Sequence, residues 1–222
     1  MNSKCVEVRI YETPKNYDSV KCLCYEAKTL GVGSVQIFPC MIEICKEILR
    51  DCDVVLNALI SYPHGGFTVR QKAAEAREAV EKGASMVEVV VNTREIKSRN
   101  YDYIYEEMKT VKEALPVETT VKFNIEMECL TDEEIIETAK IAVRAGIDCL
   151  STSTGLYHAL DENKNDIPLV ISPRDIELLK ATVGDKVKIQ AEGYISTAEL
   201  AEDLIQAGAD IISTEYTSVL MK

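Results

Sequence analysis

One lysine and four carboxylates occupy alternate positions on segments that have the pattern of β-strands. Because side chains alternate between the two faces of a strand, all five have the spacing to face one interior. A lysine amine that is partly neutral can attack a carbonyl carbon, and a carboxylate beside it can move protons. These residues are Lys122, Glu88, Glu126, Glu192 and Glu215.

The same spacing also fits a structural role for these charges. Carboxylates near Lys122 hold the pKa of its amine up, so the spacing favours an ion pair with Glu88 or Glu126 over a nucleophile. For Glu192 and Glu215, a solvated position at the rim and a role in ligand binding are equally compatible with the sequence.

Two other chemistries have less support. A serine hydrolase would need a nucleophile elbow, but no Gly-x-Ser-x-Gly motif is present, and His64 and His158 fall on predicted loops. Glu88 and Glu126 could assist a lyase or isomerase, with or without a divalent cation. No metal-ligand motif accompanies them, so no metal and no other cofactor is predicted.

Composition excludes several classes of partner. The 222 residues are 46% hydrophobic and carry a formal net charge of −12, which disfavours nucleic acid and anionic membrane surfaces. The N-terminus has no apolar signal-peptide core, and no apolar run is long enough to span a bilayer. The 8 cysteines include no Cys-x-x-Cys pair, which fits buried thiols in a reducing cytoplasm.

Strand and helix patterns alternate along the whole chain, which predicts one domain over residues 1–222. Helices are predicted over 17–30, 41–49, 69–82, 101–115, 132–145, 173–182 and 198–207. Strands are predicted over 6–11, 34–38, 53–61, 86–92, 118–126, 148–154, 186–193 and 210–216. The long stretch from Leu156 to Ile171 is predicted to be irregular and to follow strand six as a lid or a solvated insertion.

Repeated glycines support parallel β/α units. Gly31, Gly83, Gly146 and Gly208 each follow a predicted helix and precede a strand, where a left-handed cap is needed. Short connections of this kind imply right-handed crossovers and a parallel sheet.

Alternation within the strands favours a closed barrel over an open doubly wound sheet. Strands of an open sheet are apolar on both faces, whereas strand five here sets Lys122 and Asn124 against Val121 and Phe123. A polar interior under helices fits a single (β/α)8 TIM barrel, with its site at the C-terminal ends of the strands. Because the chain nearly ends after strand eight, the eighth helix is predicted to be short or absent.

Four motifs together indicate a resemblance to a known family. Ser61–Gly65 reads Ser-Tyr-Pro-His-Gly, Lys122 precedes Glu126 on strand five, residues 151–155 read Ser-Thr-Ser-Thr-Gly, and Lys188–Tyr194 ends strand seven. In this order the chain resembles deoxyribose-phosphate aldolase over essentially its whole length. The resemblance implies a (β/α)8 barrel that cleaves a carbon–carbon bond through a lysine Schiff base, without metal or organic cofactor. The implied substrates are acetaldehyde and a phosphorylated triose.

The chain departs from the family pattern at the reacting positions. Ser151 stands where the resemblance places the Schiff-base lysine, and Gln190 stands at the second lysine. Glu88 matches an acidic relay that is one methylene shorter in the family, and Glu7 and Arg9 replace the family's strand-one residues. A serine hydroxyl cannot form an imine, so the family's mechanism is not expected at this position.

The phosphate-binding positions are also altered. The resemblance assigns ligand binding to Thr152, Ser153, Gly155, Gln190, Glu192, Gly193, Ser213 and Glu215. Tyr194 replaces the second glycine of the turn after strand seven, and Glu215 places a carboxylate where a phosphate would lie. Like charges this close repel strongly where water is excluded.

Three hypotheses follow. The first is a barrel that has lost the aldol reaction and binds an uncharged or cationic small ligand, or has a regulatory or structural role. The second is an aldehyde lyase that uses Lys122 on a non-phosphorylated carbonyl compound. The third is the carboxylate- or metal-assisted lyase or isomerase. A homodimer is compatible with all three.

Overall fold

Eight parallel strands form a closed barrel in the computed structural model, which describes residues 2–10, 16–156, 158–160 and 166–216. The barrel strands are β1 (Val6–Arg9), β2 (Ser34–Ile37), β3 (Val55–Ile60), β4 (Met86–Val90), β5 (Thr120–Asn124), β6 (Cys149–Ser151), β9 (Lys188–Ala191) and β10 (Ile211–Thr214). They pair in chain order around the barrel, and β10 closes it against β1. The predicted TIM barrel is therefore confirmed.

Helices cover the outside of the barrel. They are α1 (Tyr17–Leu30), α2 (Ile42–Leu49), α3 (Val69–Lys82), α4 (Thr93–Lys97), α5 (Tyr101–Glu113), α6 (Asp132–Ala145), α7 (Pro173–Val183) and α8 (Ala198–Gln206). The sequence did not predict α4, because five residues are too few to show helical periodicity. A helix after the last barrel strand, β10, was predicted to be short or absent. That prediction concerns residues 217–222, which lie outside the described residues. Among the helices that the structure describes, none is long and apolar enough to cross a bilayer.

Capping residues explain why the helix ends agree with the sequence patterns. The Thr131 hydroxyl accepts the Glu134 N–H, and the Glu134 carboxylate accepts the Thr131 N–H, which completes a capping box at the start of α6. Gly31 and Gly146 end α1 and α6 with φ of 63° and 71°, a left-handed conformation that glycine adopts without a Cβ clash.

Apolar residues fill the space between barrel and helices, and polar residues fill the barrel interior. On β4, Val87 and Val89 are buried in the hydrophobic core, while Glu88 between them is buried with other polar residues. The alternation used to choose a barrel over an open sheet is thus present in the structure.

Part of the stretch from Leu156 to Ile171 is a β-hairpin, so the prediction of a wholly irregular segment was wrong. Strands β7 (His158–Leu160) and β8 (Asp166–Pro168) pair antiparallel. Each strand has three residues, which is too short for alternation to be visible in the sequence. Residues 161–165, at the centre of the stretch, lie outside the described residues.

Candidate functional site

Neighbouring barrel strands bring their inward side chains into register. Glu88 on β4 lies opposite Lys122 on β5. Two residues further along the strands, Ser151 on β6 lies between Asn124 on β5 and Gln190 on β9. All five side chains are fully buried and form one hydrogen-bonded network.

Lys122 is held as a paired cation in this network. Its Nζ lies 2.8 Å from Glu7 Oε2 and also donates a hydrogen bond to Gln190 Oε1. Burial alone would lower the pKa of Lys122, but the charges of Glu7 and Glu88 outweigh it, so the pKa is raised. A protonated amine has no lone pair for attack on a carbonyl, which supports the ion-pair interpretation.

The partner of Lys122 differs from the two that the sequence suggested. The ion pair forms with Glu7 on β1 rather than with Glu88 or Glu126. Glu7 and Lys122 lie 115 residues apart in the chain, so sequence spacing could not have paired them. The barrel brings them together because β1 and β5 face each other across its interior.

Glu88 is a buried carboxyl surrounded by amide donors. Its oxygens accept hydrogen bonds from Asn57, Asn124 and Gln190 at 3.0–3.3 Å. Burial and the nearby charge of Glu192 raise the pKa of Glu88 to about 8, against the opposing effect of Lys122. Glu88 can therefore exchange a proton near neutral pH, which is the property of a proton relay.

The one group of carboxylates in the described residues with metal-site spacing is Glu7, Glu88 and Glu192. Gln190 Nε2 lies between two of them, donating to Glu88 Oε2 at 3.0 Å and to Glu192 Oε2 at 2.9 Å. An amide NH2 at this point cannot coordinate a cation and takes the space that a shared ion would need. This donor set does not fit a divalent metal.

Glu192 is fully buried, which contradicts the solvated-rim interpretation of this residue. Its Oε1 lies 3.4 Å from Arg9 Nη1, and its Oε2 accepts hydrogen bonds from Ser151 and Gln190. The cation that neutralises Glu192 comes from β1, next to the Glu7 that neutralises Lys122. Glu215, in contrast, is half-buried just beyond β10.

Ser151 is a hydrogen-bonding residue within the same network. Its hydroxyl donates to Glu192 Oε2 at 3.2 Å and accepts from Asn124 Nδ2 at 3.4 Å and Gln190 Nε2 at 3.3 Å. Gln190 thus gives neutral hydrogen bonds to Glu88, Ser151 and Glu192. Neither Ser151 nor Gln190 supplies an amine.

Two further carboxyl groups lie at the C-terminal end of β5. Glu126 follows the strand with a left-handed φ of 52°, and its Oε1 accepts the Thr154 N–H at 2.9 Å. Burial raises the pKa of Glu126 to about 8. Glu128, which the sequence analysis missed, lies in the following 3-10 helix, and burial raises its pKa to about 7 although the Ser153 hydroxyl opposes this.

Two consecutive residues with positive φ form the turn after β9. Gly193 has φ of 121°, and Tyr194 after it has φ of 51°, a conformation that costs a non-glycine residue energy. A Cβ on Gly193 would lie 3.2 Å from Glu128 Oε1 and 3.4 Å from Ser153 Cβ. The Glu128 carboxylate is therefore packed against this turn and against the Ser-Thr-Ser-Thr-Gly segment.

Comparison with known proteins decides the family. The sequence profile described as DeoC/LacD family aldolase matches residues 6–171. The chain belongs to this family. Deoxyribose-phosphate aldolase from Caldicellulosiruptor saccharolyticus is 34% identical over 96% of the chain and 93% of that protein. The enzyme of the same name from Thermoanaerobacter pseudethanolicus is 33% identical over 95% of the chain and 91% of that protein.

Solved structures agree with the DeoC/LacD assignment. An aldolase named QR15 is 26% identical and superposes with a TM-score of 0.89 over 99% of the chain and 93% of that structure. The tetrameric deoxyribose phosphate aldolase from Aeropyrum pernix superposes with a TM-score of 0.85 at 23% identity, covering 99% of the chain and 88% of that structure.

The remaining predicted binding residues of this DeoC/LacD family member have mainly structural contacts. The Thr152 hydroxyl donates to the Glu192 carbonyl at 2.7 Å and accepts the Glu192 N–H at 2.9 Å, which ties β6 to β9. The Ser153 hydroxyl accepts the Gly155 N–H at 3.0 Å. Ser213 is fully buried inside the barrel. His64 is exposed on a loop as predicted, whereas His158, which was also predicted on a loop, lies in β7.

Several interior residues were not singled out from the sequence. Gln36 and Asn57 are fully buried, and they lie opposite each other on β2 and β3. The signal was available, since each is a single polar residue between apolar neighbours in a short strand. Glu128 continues the alternation of Lys122 and Glu126 by two residues, but it was missed because the predicted strand ended at residue 126.

Proposed function

We propose that this family member does not catalyse aldol cleavage through a Schiff base, and that it binds a small phosphate-free ligand inside the barrel. The observation that carries the proposal is the state of Lys122. It is the one lysine of the barrel interior among the described residues, and it is fully buried, protonated and paired with Glu7. The other fully buried lysine, Lys72, lies on α3 and pairs with Glu107 at 2.8 Å.

Three features support the loss of imine chemistry. Ser151 offers a hydroxyl in place of an amine at the matching family position. Gln190 carries no charge, so it could not depress the pKa of a neighbouring lysine. Because Lys122 would have to lose both its proton and its ion pair before it could attack a carbonyl, the alternative of a relocated Schiff-base lysine has no support in the geometry.

The two carboxyl groups at the mouth support a ligand without phosphate. Glu126 and Glu128 lie against the segment that the resemblance assigns to phosphate, and Glu128 is packed beside Gly193. Burial raises the pKa of both groups, to about 8 and about 7, so this part of the barrel disfavours negative charge, and a phosphate would meet the same penalty. An uncharged group meets no such penalty.

The first prediction concerns the reaction of the named relatives. Purified protein incubated with deoxyribose 5-phosphate is expected to release acetaldehyde no faster than the same solution without protein. A coupled assay that reduces acetaldehyde and follows the nicotinamide absorbance measures this. The matched comparison is Ser151→Lys, which returns an amine to the family position. Release by the unmodified protein well above that blank would overturn the proposal.

Self-association and location are also part of this proposal. We infer that the chain forms a homo-oligomer, and the support is the tetrameric relative from Aeropyrum pernix. A cytoplasmic location is supported by the eight cysteines, all of which are free thiols, including Cys24 and Cys45 with their Sγ atoms 3.2 Å apart.

A further inference from the structure

Two cysteines lie side by side in the contact between α1 and α2. Cys24 on α1 and Cys45 on α2 are both fully buried, and their Sγ atoms are 3.2 Å apart. A disulfide bond is about 2.05 Å long, so the two sulfurs would have to approach each other by only about 1 Å to form one. Cys149, the third buried cysteine, has its Sγ near the Leu150 carbonyl instead.

The surroundings of this cysteine pair are apolar and do not form a metal site. Val20 and Ala27 are buried on the same face of α1 as Cys24, and Ile42 is buried on the same face of α2 as Cys45. A structural metal needs about four ligands, and no group of three metal-binding side chains in the described part of the chain includes either cysteine. Redox chemistry between the two thiols needs no third residue.

The two thiols differ in acidity because they interact with each other. The hydrogen bond between them lowers the pKa of Cys24 and raises the pKa of Cys45, and burial raises the pKa of Cys45 further. The thiolate is the nucleophilic form of cysteine. Cys24 is therefore the sulfur that reacts first with an oxidant, and Cys45 is the thiol that follows.

A groove on the outside of the same helix pair brings solvent close to the two cysteines. It is lined by Tyr25 and Ile44, the chain neighbours of Cys24 and Cys45, and by the exposed Tyr17. Because the sulfurs themselves are buried, an oxidant reaches them when the contact between α1 and α2 opens briefly. A small, uncharged peroxide suits such a path better than a bulky or charged oxidant does.

We propose that Cys24 and Cys45 form a reversible disulfide within the folded protein when it meets a peroxide. The Cys24 thiolate attacks hydrogen peroxide, the O–O bond breaks, and Cys24 becomes a sulfenic acid while the released hydroxide takes up the thiol proton as water. The Cys45 thiol then attacks the Cys24 sulfur, the S–O bond breaks, and a second water leaves. Two thiols are oxidised and one peroxide is reduced to two waters. A thiol reductant reverses the change by exchange.

This proposal does not depend on the function proposed for the barrel interior. It is compatible with a reducing compartment, where the pair remains as two thiols until an oxidant is present.

The test is peptide mass spectrometry under non-reducing conditions. Trypsin releases residues 22–28 and 29–46 as two peptides, and each contains one exposed cysteine, Cys22 or Cys40, besides one member of the pair. The double variant Cys22→Ala with Cys40→Ala therefore leaves one thiol in each peptide. After treatment with hydrogen peroxide and blocking of free thiols with N-ethylmaleimide, the two peptides are expected to be joined. Dithiothreitol is expected to separate them.

Two further substitutions in this background assign the bond. Cys45→Ala is expected to abolish the joined peptide. Cys52→Ala, the same substitution at a half-buried thiol, is the matched control and is expected to leave it unchanged. The proposal is overturned if no joined peptide forms at a peroxide dose that oxidises Cys22 of the unmodified protein. It is also overturned if the peptides join only in urea.

The melting temperature shows whether the bond fits the folded protein. The bond joins residues 21 positions apart, and oxidation of the double variant is expected to raise its melting temperature by about 5–10 °C. Dithiothreitol should reverse the rise, and the variant that also carries Cys45→Ala should show none. A joined peptide with an unchanged or lowered melting temperature would mean that the bond distorts the native helix contact, and it would overturn the proposal.

Discussion

Replacing Lys122 with methionine is expected to lower the free energy of unfolding by about 3–5 kcal/mol, the usual effect of removing one partner of a buried ion pair. The substitution keeps most of the side-chain volume and removes the ammonium group. Glu7 then loses its cation inside the barrel, 2.8 Å from where Nζ stood, and Glu88 loses a favourable charge. Urea unfolding followed by circular dichroism measures the change through the transition midpoint.

The control for this variant is Lys188→Met, a lysine on β9 that is exposed. It is expected to change stability by less than about 0.5 kcal/mol, as surface substitutions generally do. The double variant Glu7→Gln with Lys122→Met removes both charges and is expected to recover part of the loss, because no buried charge remains unpaired. A loss below about 1 kcal/mol for Lys122→Met would show that the ion pair is not buried as described.

Stability is expected to fall by a few kcal/mol as pH rises from about 5 to about 9. The cause is the raised pKa of three buried carboxyl groups, about 8 for Glu88, about 8 for Glu126 and about 7 for Glu128, against an ordinary value of 4.5. A raised folded pKa means that the native state binds protons more tightly than the unfolded chain does. The stabilisation is therefore complete below about pH 4.5 and is lost as pH passes through 7 to 8.

Single glutamine variants assign this pH dependence to residues. Glutamine resembles the protonated carboxyl group and cannot ionise, so Glu126→Gln and Glu128→Gln are each expected to flatten the fall in stability above pH 6. Glu133→Gln, at a carboxylate that is 71% exposed, is the control and should leave the curve unchanged. Melting temperatures measured across the pH range provide the curves. A Glu126→Gln curve parallel to that of the unmodified protein would contradict the assigned pKa.

The fold could be predicted because local patterns and topology agree along most of the chain. The capping box at Thr131 and the glycines after α1 and α6 mark helix ends, and alternation on β4 and β5 separates a barrel from an open sheet. The elements that were missed or misdescribed, α4 and the β7–β8 hairpin, have three to five residues each. Segments of that length are too short for a hydrophobic period to be read from the sequence.

The site could be predicted only as a set of inward-facing residues. The alternation of side chains along a strand correctly placed Lys122 and Glu88 in one interior, because alternation is a local property. The family resemblance, and not alternation, singled out Ser151 and Gln190. Alternation could not choose partners, since the Lys122–Glu7 and Arg9–Glu192 pairs join residues 115 and 183 positions apart. It also gave no measure of depth, so Glu192 was compatible with a solvated rim although it is fully buried.

The most direct test of the proposed loss of Schiff-base chemistry is reductive trapping of an imine. The protein is incubated with acetaldehyde or 2-deoxy-D-ribose, reduced with sodium borohydride, digested and examined by peptide mass spectrometry. The unmodified protein is expected to give no alkylated lysine at position 122. Ser151→Lys, with an amine restored on β6, shows the signal that an imine-forming lysine would give. An adduct on Lys122 of the unmodified protein would contradict the account, because it would mean that the buried ion pair opens and the amine reacts.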